Sequence, residues 1–178
     1  MNYVSTRNNA VKVSSAFAIA HGISVEGGLY VPESIPRFDV EDFSKLSELD
    51  YKGKAQYILK KFLTDFTDDE IFTCVNGAYT GSFDDDKPAA LAQLGDKISI
   101  LELWHGPTCA FKDMALQILP HLMRVSVGKT APGQQIVILV ATSGDTGKAA
   151  LEGFRDAPNT RILVFYPAEG VSEMQRFQ

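Results

Sequence analysis

The stretch QIVILVAT at residues 135–142 and the stretch RILVFYP at residues 161–167 decide the fold class of this chain. Both are continuous apolar runs rich in β-branched side chains, a pattern typical of strands that are buried on both faces of a parallel sheet. A helical pattern fills residues 146–155 between them, and another fills residues 113–127 before them. Strands that alternate with helices predict an α/β fold, with an open, mostly parallel sheet and flanking helices.

Residues 1–83 follow another pattern, and we expect a mostly helical N-terminal region there, ahead of an α/β region over residues 84–178. Apolar side chains recur at helical spacing in three segments, each of which is expected to bury one apolar face. A shorter helix is expected after Ser14 or Ser15, both good N-caps, and Gly22 would end it. The four helical segments are residues 14–23, 39–49, 51–66 and 67–79.

Local signals refine this outline. Thr67 and Glu70 have capping-box spacing at the start of the last of those helical segments. Residues 89–103 are expected to form two strands joined by a turn, and residues 26–36 contain a brief extended piece bracketed by glycines and prolines. Pro120 predicts a break in the helix that precedes the first buried strand, because an interior proline costs about 3 kcal/mol.

Composition and charge exclude several classes of protein. The 178 residues carry a net charge of -5, which argues against a nucleic-acid binder because phosphates are met by clustered basic side chains. No apolar run approaches the roughly 20 residues of a membrane-spanning helix, and the first residues lack the apolar core of a secretory signal. Cys74 and Cys109 show no metal-ligand spacing, and the acidic run at residues 84–86 is interpreted as a solvated loop. We therefore expect a cytoplasmic protein with no metal and with neither nucleic-acid nor membrane partners.

The stretch VATSGDTGKAAL at residues 140–151 predicts a strand, a small-residue loop and a helix. Ser143, Asp145 and Thr146 are all able to cap that helix, and Gly144 lets the backbone come close to a ligand. Because the first N–H groups of a helix lack internal partners, a helix from Thr146 would offer an anion site at the carboxyl end of the strand. We expect Asp145 to turn inward and brace the loop, since its carboxylate would repel an anion. An ordinary helix cap without a ligand is the alternative.

Two phosphate-binding patterns are incomplete. The dinucleotide fingerprint needs G-x-G-x-x-G, and the loop above has only Gly144 and Gly147. The stretch VGKT at residues 127–130 ends like a P-loop, but Met123 stands where that motif requires its first glycine. A nucleotide-binding module is therefore disfavoured.

The stretch HGPTCAFKD at residues 105–113 places a lysine, Lys112, where a turn meets an apolar, helix-like segment. A strand is expected to end near Trp104, so Lys112 would project from near a helix N-terminus at the carboxyl edge of that strand. The positive end of the helix dipole and burial beside Phe111 would both disfavour an ammonium and leave the nucleophilic amine that Schiff-base chemistry requires. An ordinary solvated lysine is the alternative. The polar side chains on the same turn are His105, Thr108 and Asp113, of which the last can cap the new helix.

Several stretches of the chain share one resemblance. The longest is LELWHGPTCAFKDMALQ at residues 101–117, and ATSGDTG follows at residues 141–147; YVSTRN and GGLYVPESIP stand near the N-terminus. Together they resemble the threonine synthase family, pyridoxal-phosphate enzymes of the tryptophan-synthase-like fold (fold type II). In that family the cofactor-lysine segment commonly reads L-E-L-[FW]-H-G-P-T-x-A-F-K-D. The resemblance runs from Tyr3 to the final EMQRFQ.

The resemblance implies a cofactor, a reaction and a set of site residues. Lys112 would hold pyridoxal 5'-phosphate as an internal aldimine and move protons in catalysis. The implied reaction converts O-phospho-L-homoserine and water to L-threonine and phosphate, which makes the parent enzyme a carbon-oxygen lyase of threonine biosynthesis. Asp145 would lie near the cofactor ring. The implied substrate-binding residues are Ser143, Gly144, Asp145 and Thr146, with His105 and Thr108 as lining residues.

The members of this family are considerably longer, so the resemblance covers an N-terminal portion only. The loop that grips the cofactor phosphate and the residue that faces the pyridine nitrogen would follow residue 178, in the remainder of the same polypeptide. We therefore expect the 178 residues alone to bind the cofactor poorly and to be inactive. Two alternatives stay open, a threonine-synthase-like phospholyase that yields 2-oxobutanoate and a structural fragment without activity.

Overall fold

The computed structural model describes residues 1–177, apart from the side chains of Asp86 and Gln175, and these residues form two compact units. Both units are assembled from two separate stretches of the chain. The first consists of Met1–Gly77 with His121–Gly133, and the second of Ala78–Pro120 with the residues from Gln134 onward.

A three-stranded antiparallel sheet lies at the start of the first unit. Its strands are β1 (Tyr3–Ser5), β2 (Asn8–Val13) and β3 (Tyr30–Pro32), in the order β2–β1–β3. Only β3 falls in a segment for which the sequence predicts extended structure. The turn before β3 depends on Gly28, whose N–H donates to the Ser24 hydroxyl at 2.9 Å. A Cβ at Gly28 would lie 2.1 Å from Oγ of Ser5, so a side chain there would displace β1.

The four helices expected in the first 80 residues are present and end close to the predicted residues. Ser14 accepts the N–H of Phe17 as the N-cap of the first helix, and Gly22 ends that helix with a φ of 63°. Thr67 and Glu70 exchange two hydrogen bonds of 3.2 and 2.7 Å, which confirms the predicted capping box. The helices are α1 (Ser15–His21), α2 (Val40–Glu48), α3 (Tyr51–Phe62) and α4 (Asp68–Tyr79).

The apolar face predicted for α2 is half-buried at Leu46 and Leu49 but exposed toward the start of the helix. Val40 and Phe43 are 82% and 63% exposed, whereas Asp42 is buried. The reason is a polar contact with α3, because Asp42 accepts hydrogen bonds from the Tyr57 hydroxyl at 2.5 Å and from Lys61 at 2.8 Å. The hydrogen bond from Lys61, followed by that from Tyr57, holds the pKa of the Asp42 carboxyl well below its usual range.

The core of the first unit lies on α4 and on α6 (Leu119–Thr130), most of which belongs to this unit. Although the sequence predicts a buried face on α3 as well, the only fully buried apolar side chains near α3 follow its C-terminus. Lys129 of α6 pairs with Glu70 of α4 at 2.9 Å and also donates to the carbonyl of Asp65 at 2.9 Å. The buried apolar residues of this unit are Val4, Ala16, Ala18, Leu63, Phe66, Ile71, Cys74, Val75, Leu122 and Met123.

The second unit begins with a 3₁₀ turn and a hairpin. The turn is Asp84–Asp86, and Asp84 and Asp85 are exposed as the sequence predicts, while the side chain of Asp86 lies outside the described residues. The predicted pair of strands is confirmed as an antiparallel hairpin of β4 and β5. The remaining elements are β4 (Ala90–Leu94), β5 (Ile98–Glu102), α5 (Asp113–Leu116), β6 (Ile136–Ala141), α7 (Asp145–Gly153), β7 (Thr160–Phe165) and α8 (Glu173–Phe177).

The two apolar runs that decide the fold class pair as parallel strands, β6 with β7, joined through α7. Within the described residues this is the only parallel pair, since β5 pairs with β4 and does not extend the sheet. The expectation that both faces are buried is wrong for these residues. Side chains alternate between half-buried and exposed along both strands, because α7 contacts the pair and alternate side chains such as Leu139 and Phe165 stay exposed.

The helix predicted over residues 113–127 is broken where the sequence indicates. Helix α5 ends at Leu116 and α6 begins at Leu119, which leaves Pro120 in the first turn of α6. Proline is tolerated there because the N–H that it lacks would have no helical partner. None of the helices in the described part of the chain is long and apolar enough to cross a membrane.

Candidate functional site

The loop between β5 and α5 carries the lysine that the sequence singles out. After β5 ends at Glu102, the chain turns twice, with the N–H of Cys109 donating to Gly106 and that of Asp113 to Ala110, at 3.0 and 2.9 Å. Cys109 has a φ of 57°, in the left-handed region that non-glycine residues seldom occupy. The loop is therefore held in a specific conformation by its own backbone and not only by contacts with neighbours.

A buried carboxylate fixes the end of this loop. Asp113 is 0% exposed, and its two carboxylate oxygens accept the N–H of Thr108 at 2.8 Å and the hydroxyl of Thr108 at 2.6 Å. Gly106 packs directly against Asp113, since a Cβ at Gly106 would lie 2.5 Å from the Asp113 side chain. We call Gly106, Thr108 and Asp113 the carboxylate bracket. The hydrogen bonds between Thr108 and Asp113 close the turn whose last residue before Asp113 is Lys112.

Lys112 is the N-cap residue of α5 and is half-buried. Its Nζ atom lies 4.4 Å from the centre of the Phe111 ring, and among the described residues no carboxylate pairs with it. Two expectations for its surroundings are wrong. Phe111 does not bury the amine, because that ring is itself 59% exposed. The helix dipole behind it is small, because α5 has only four residues.

His105 lies at the start of the loop with both ring nitrogens near carboxylates. Its Nε2 atom is 2.7 Å from the carboxylate of Glu102, and its Nδ1 atom is 3.4 Å from that of Asp84. The hydrogen bond with Glu102 is the main cause that raises the pKa of His105 above its ordinary value. The Thr108 hydroxyl is likewise engaged, with Asp113. The side chains of His105 and Thr108, the two predicted lining residues, therefore form hydrogen bonds within the protein.

The S-G-D-T-G loop lies at the carboxyl end of β6, as predicted, but its helix begins one residue early. Helix α7 starts at Asp145 with Gly144 as N-cap, and no side chain caps it. The expectation that Asp145 turns inward to brace the loop is wrong, because Asp145 is exposed. Thr142 supplies the bracing contact instead, since its hydroxyl accepts the N–H of Gly144 at 3.3 Å. The loop thus exposes Ser143 and Asp145 and half-buries Thr146.

Gly147 lets α7 approach the strands closely. A Cβ at this position would lie 2.6 Å from Cγ2 of Thr142 and 3.0 Å from Cγ1 of Val164. Beside the loop lies a cavity of about 340 Å³, whose lining includes Ser143, Gly144, Lys148 and Arg176. Two cationic side chains and the N-terminal end of α7 therefore border the same space.

The lysine loop and the S-G-D-T-G loop belong to the same unit, and the helices that follow them are packed together. Helices α5 and α7 are in contact, and Gly153 of α7 comes so close to α5 that a Cβ there would lie 2.2 Å from the Leu116 carbonyl oxygen. His105, Thr108 and Lys112 share one loop, and Ser143 to Thr146 share the other. The sequence analysis does not identify Glu102 as a partner of His105. The only sequence feature that would have suggested this contact is the spacing of three residues between them.

Metal and disulfide chemistry find no support in the described residues. No group of three or more potential metal-ligating side chains occurs among them, and Cys74 and Cys109 are free thiols. Burial raises the pKa of the Cys74 thiol to about 11, so this cysteine is an inert core residue. Cys109 is exposed.

Comparisons with known proteins agree on one family. The family model described as the N terminus of threonine synthase matches residues 2–79. The threonine synthase of Pseudomonas aeruginosa is 40% identical over 178 residues, which is 100% of this chain and 38% of that protein. A crystal structure of PLP-bound threonine synthase from Brucella melitensis superposes with a TM-score of 0.87 and 37% identity, over 98% of this chain and 37% of that one. Yeast threonine synthase gives a TM-score of 0.87 at 34% identity, over the same shares of both chains. The chain thus spans between a third and two fifths of the length of these three proteins.

Proposed function

Because the chain has the sequence and the fold of the N-terminal portion of the threonine synthases, we propose that it supplies the lysine-bearing part of such an enzyme. The observation that carries this proposal is the state of Lys112. Lys112 is half-buried at the start of α5, and no carboxylate among the described residues pairs with it. Without a carboxylate partner, the Lys112 side chain is free to reach an aldehyde cofactor, whereas a lysine held in an ion pair would first have to break that contact.

The side chains present fit pyridoxal 5'-phosphate in kind. A lysine amine is the group by which proteins hold this cofactor, and Lys112 would provide it from a loop fixed by the carboxylate bracket. Asp145, exposed at the first turn of α7, is proposed to lie near the cofactor ring. When bound, the cofactor supplies an electron sink that stabilises negative charge on the substrate carbon next to the amino group.

The S-G-D-T-G loop is proposed to bind the substrate through Ser143, Gly144, Asp145 and Thr146. The first N–H groups of α7 have no partner within the helix, and the positive end of its dipole favours an anion there. Lys148 and Arg176 add positive charge to the cavity beside the loop. These features support an anionic substrate such as O-phospho-L-homoserine, which carries both a carboxylate and a phosphate.

We propose that the complete enzyme converts O-phospho-L-homoserine and water to L-threonine and phosphate. Lys112 is the basic side chain proposed to take and return protons at Cα and Cβ of the substrate, because the loop that carries it is fixed. His105 and Thr108 are proposed to line the site as parts of that loop. The rest of the polypeptide, as in the longer relatives, would complete the cofactor site. A cytoplasmic location is proposed as well, in keeping with the free thiols of Cys74 and Cys109.

The test of this proposal is selective modification of Lys112. Pyridoxal 5'-phosphate is added to the chain, borohydride fixes whatever cofactor is held by lysine, and mass spectrometry of the peptides locates it. We expect Lys112 to be modified several-fold more than Lys97, which is exposed at the β4–β5 turn. Lys112→Ala should leave only the low modification of the other lysines, and the matched control Lys97→Ala should leave the modification of Lys112 unchanged. Equal modification of both lysines would contradict the assignment.

Product analysis then distinguishes the two candidate reactions. Incubation with O-phospho-L-homoserine yields L-threonine if the enzyme is a synthase and 2-oxobutanoate if it is a phospholyase. We expect weak cofactor binding and no turnover from the 178 residues alone. Threonine formation by this chain without further polypeptide would contradict that expectation.

A further inference from the structure

His105 connects three parts of the second unit. Its imidazole lies between Glu102, the last residue of β5, and Asp84 of the 3₁₀ turn, with contacts of 2.7 and 3.4 Å. Its carbonyl oxygen also accepts the N–H of Asp84 at 3.0 Å. The next residue, Gly106, packs against Asp113. The first residue of the lysine loop is therefore tied to the strand before it and to the turn beside the strand.

The two ring contacts are hydrogen bonds at the same time only when the imidazole is charged. A carboxylate only accepts hydrogen bonds, and a neutral imidazole has a single N–H, so it satisfies one carboxylate and turns a lone pair toward the other. An imidazolium donates to both. Among the side chains that the structure describes, Glu102 from β5 and Asp84 from the 3₁₀ turn are the charged groups in contact with the ring, and the neutral Trp104 ring lies 5.6 Å away between centres. The His105 side chain is 21% exposed and that of Glu102 is 23% exposed, so the closer pair is partly shielded from water.

We propose that His105 is a positioning residue, which as an imidazolium held by Glu102 and Asp84 fixes the first residue of the loop that carries Lys112. The carboxylate bracket fixes the other end of the same loop. Two anchors, at His105 and at Asp113, thus hold the segment in place. Asp113 does so through buried hydrogen bonds from Thr108, and His105 through ion pairs with Glu102 and Asp84. The clamp itself rests on these contacts alone, while its importance for cofactor binding rests on the proposed function.

The clamp has a defined dependence on pH. Because its carboxylate partners raise the pKa of His105 in the folded state, the clamp contributes fully below the ordinary histidine pKa of about 6.5. The contribution is lost as the pH rises through the raised folded-state pKa. The lysine loop is therefore expected to loosen toward alkaline pH, while the carboxylate bracket is unchanged.

The first experiment measures the titration of the imidazole by NMR of the histidine ring C–H groups in the full chain. His121 gives a reference in the same spectrum, because burial lowers its pKa whereas that of His105 is raised. Glu102→Gln should lower the His105 midpoint by about one pH unit, since it removes a charge within hydrogen-bond distance. The chemically matched change Asp84→Asn should have less than half that effect, because the contact is longer and Asp84 is 78% exposed. An unshifted His105 midpoint, or equal effects of the two variants, would overturn the proposal.

The second experiment measures whether the clamp positions the loop. Amide hydrogen exchange over residues 106–113 is compared at pH 6 among the wild type, His105→Gln and Glu102→Gln. Both variants should raise exchange in this segment about tenfold and leave α4 unchanged, and Glu102→Gln should add nothing in the His105→Gln background. If the variants disturb only β4 and β5, the positioning role is refuted. His21→Gln, on the exposed end of α1, serves as the control and should leave the loop protected.

These readouts need neither cofactor nor substrate, so they separate the clamp from the proposed function. A shifted titration with loop protection, combined with no preference for Lys112 in cofactor capture, would leave the clamp standing and remove the function. Selective capture of Lys112 that Glu102→Gln does not slow would keep the function and refute the positioning role.

Discussion

Removal of the Asp113 carboxylate is the sharpest test of how the lysine loop is held. Asp113 is 0% exposed and accepts two hydrogen bonds from Thr108, at 2.8 and 2.6 Å. In Asp113→Ala, the N–H and the hydroxyl of Thr108 lose their shared acceptor in a buried place. The loop that carries Lys112 then keeps only its turn hydrogen bonds and the contacts of His105.

The expected magnitude follows from these two bonds. A hydrogen bond to a charged group contributes about 1.5–3 kcal/mol, so two of them set a gross loss of roughly 3–6 kcal/mol. Removing the carboxylate also removes the cost of keeping its charge out of water, which offsets part of that loss. We therefore expect Asp113→Ala to lower the free energy of unfolding by about 3 kcal/mol. Thr108→Val keeps the N–H bond and deletes only the hydroxyl, so about 1–2 kcal/mol is expected.

Urea unfolding monitored by circular dichroism gives both values, and the double variant Thr108→Val/Asp113→Ala gives their coupling. Because Thr108 loses its hydroxyl bond in either single variant, the two losses should not add, and the double variant should fall short of their sum by about 1 kcal/mol or more. Additive losses, or a loss below about 1 kcal/mol for Asp113→Ala, would show that the bracket does not hold the loop.

Two further predictions concern other parts of the fold. Gly147→Ala is expected to lower the free energy of unfolding by about 1–3 kcal/mol, because its Cβ would lie 2.6 Å from Cγ2 of Thr142. The matched change Gly128→Ala meets open space in α6 and should raise the free energy of unfolding by about 0.5–1 kcal/mol. Urea titrations that reverse this order would contradict the packing of α7. The hydrogen bond from Lys61 lowers the pKa of Asp42 in the folded state. The Asp42 carboxylate therefore stabilises the fold above its ordinary pKa of about 3.9, and this stabilisation is lost as the pH falls. Asp42→Asn should accordingly lose less thermal stability than the wild type between about pH 4 and pH 2. Parallel melting curves of the wild type and the variant across that range would refute the role of this contact.

The helices could be predicted from the sequence because their signals are local. Ser14 and Gly22 sit at the two ends of α1, and the Thr67–Glu70 pair spans the first turn of α4. Each signal works within four residues, so no knowledge of distant contacts is needed. The break near Pro120 is local in the same way.

The errors arise where long-range contacts decide. Periodicity finds the apolar stripe of α2 but not which face is buried, and the bonds from Tyr57 and Lys61 select the face with Asp42. The pairing of β1 with β3 joins residues that are separated by β2 and the whole of α1 along the chain. The burial prediction for β6 and β7 fails for the same reason, because an apolar run predicts a buried strand without identifying the elements that would cover it.

In the candidate site too, the locally encoded features could be predicted from the sequence and the side-chain contacts could not. The pattern HGPTCAFKD indicates Lys112 because turn-forming residues and a helix start adjoin it, and these are local features. What the pattern does not reveal is that its other polar residues serve the loop itself, His105 through Glu102 and Thr108 through Asp113. A reactive amine needs a fixed position as much as it needs basicity, since misplacement of a catalytic group by about 1 Å can cost 100-fold in rate. The polar residues His105, Thr108 and Asp113 around Lys112 are therefore accounted for by anchoring at both ends of its loop.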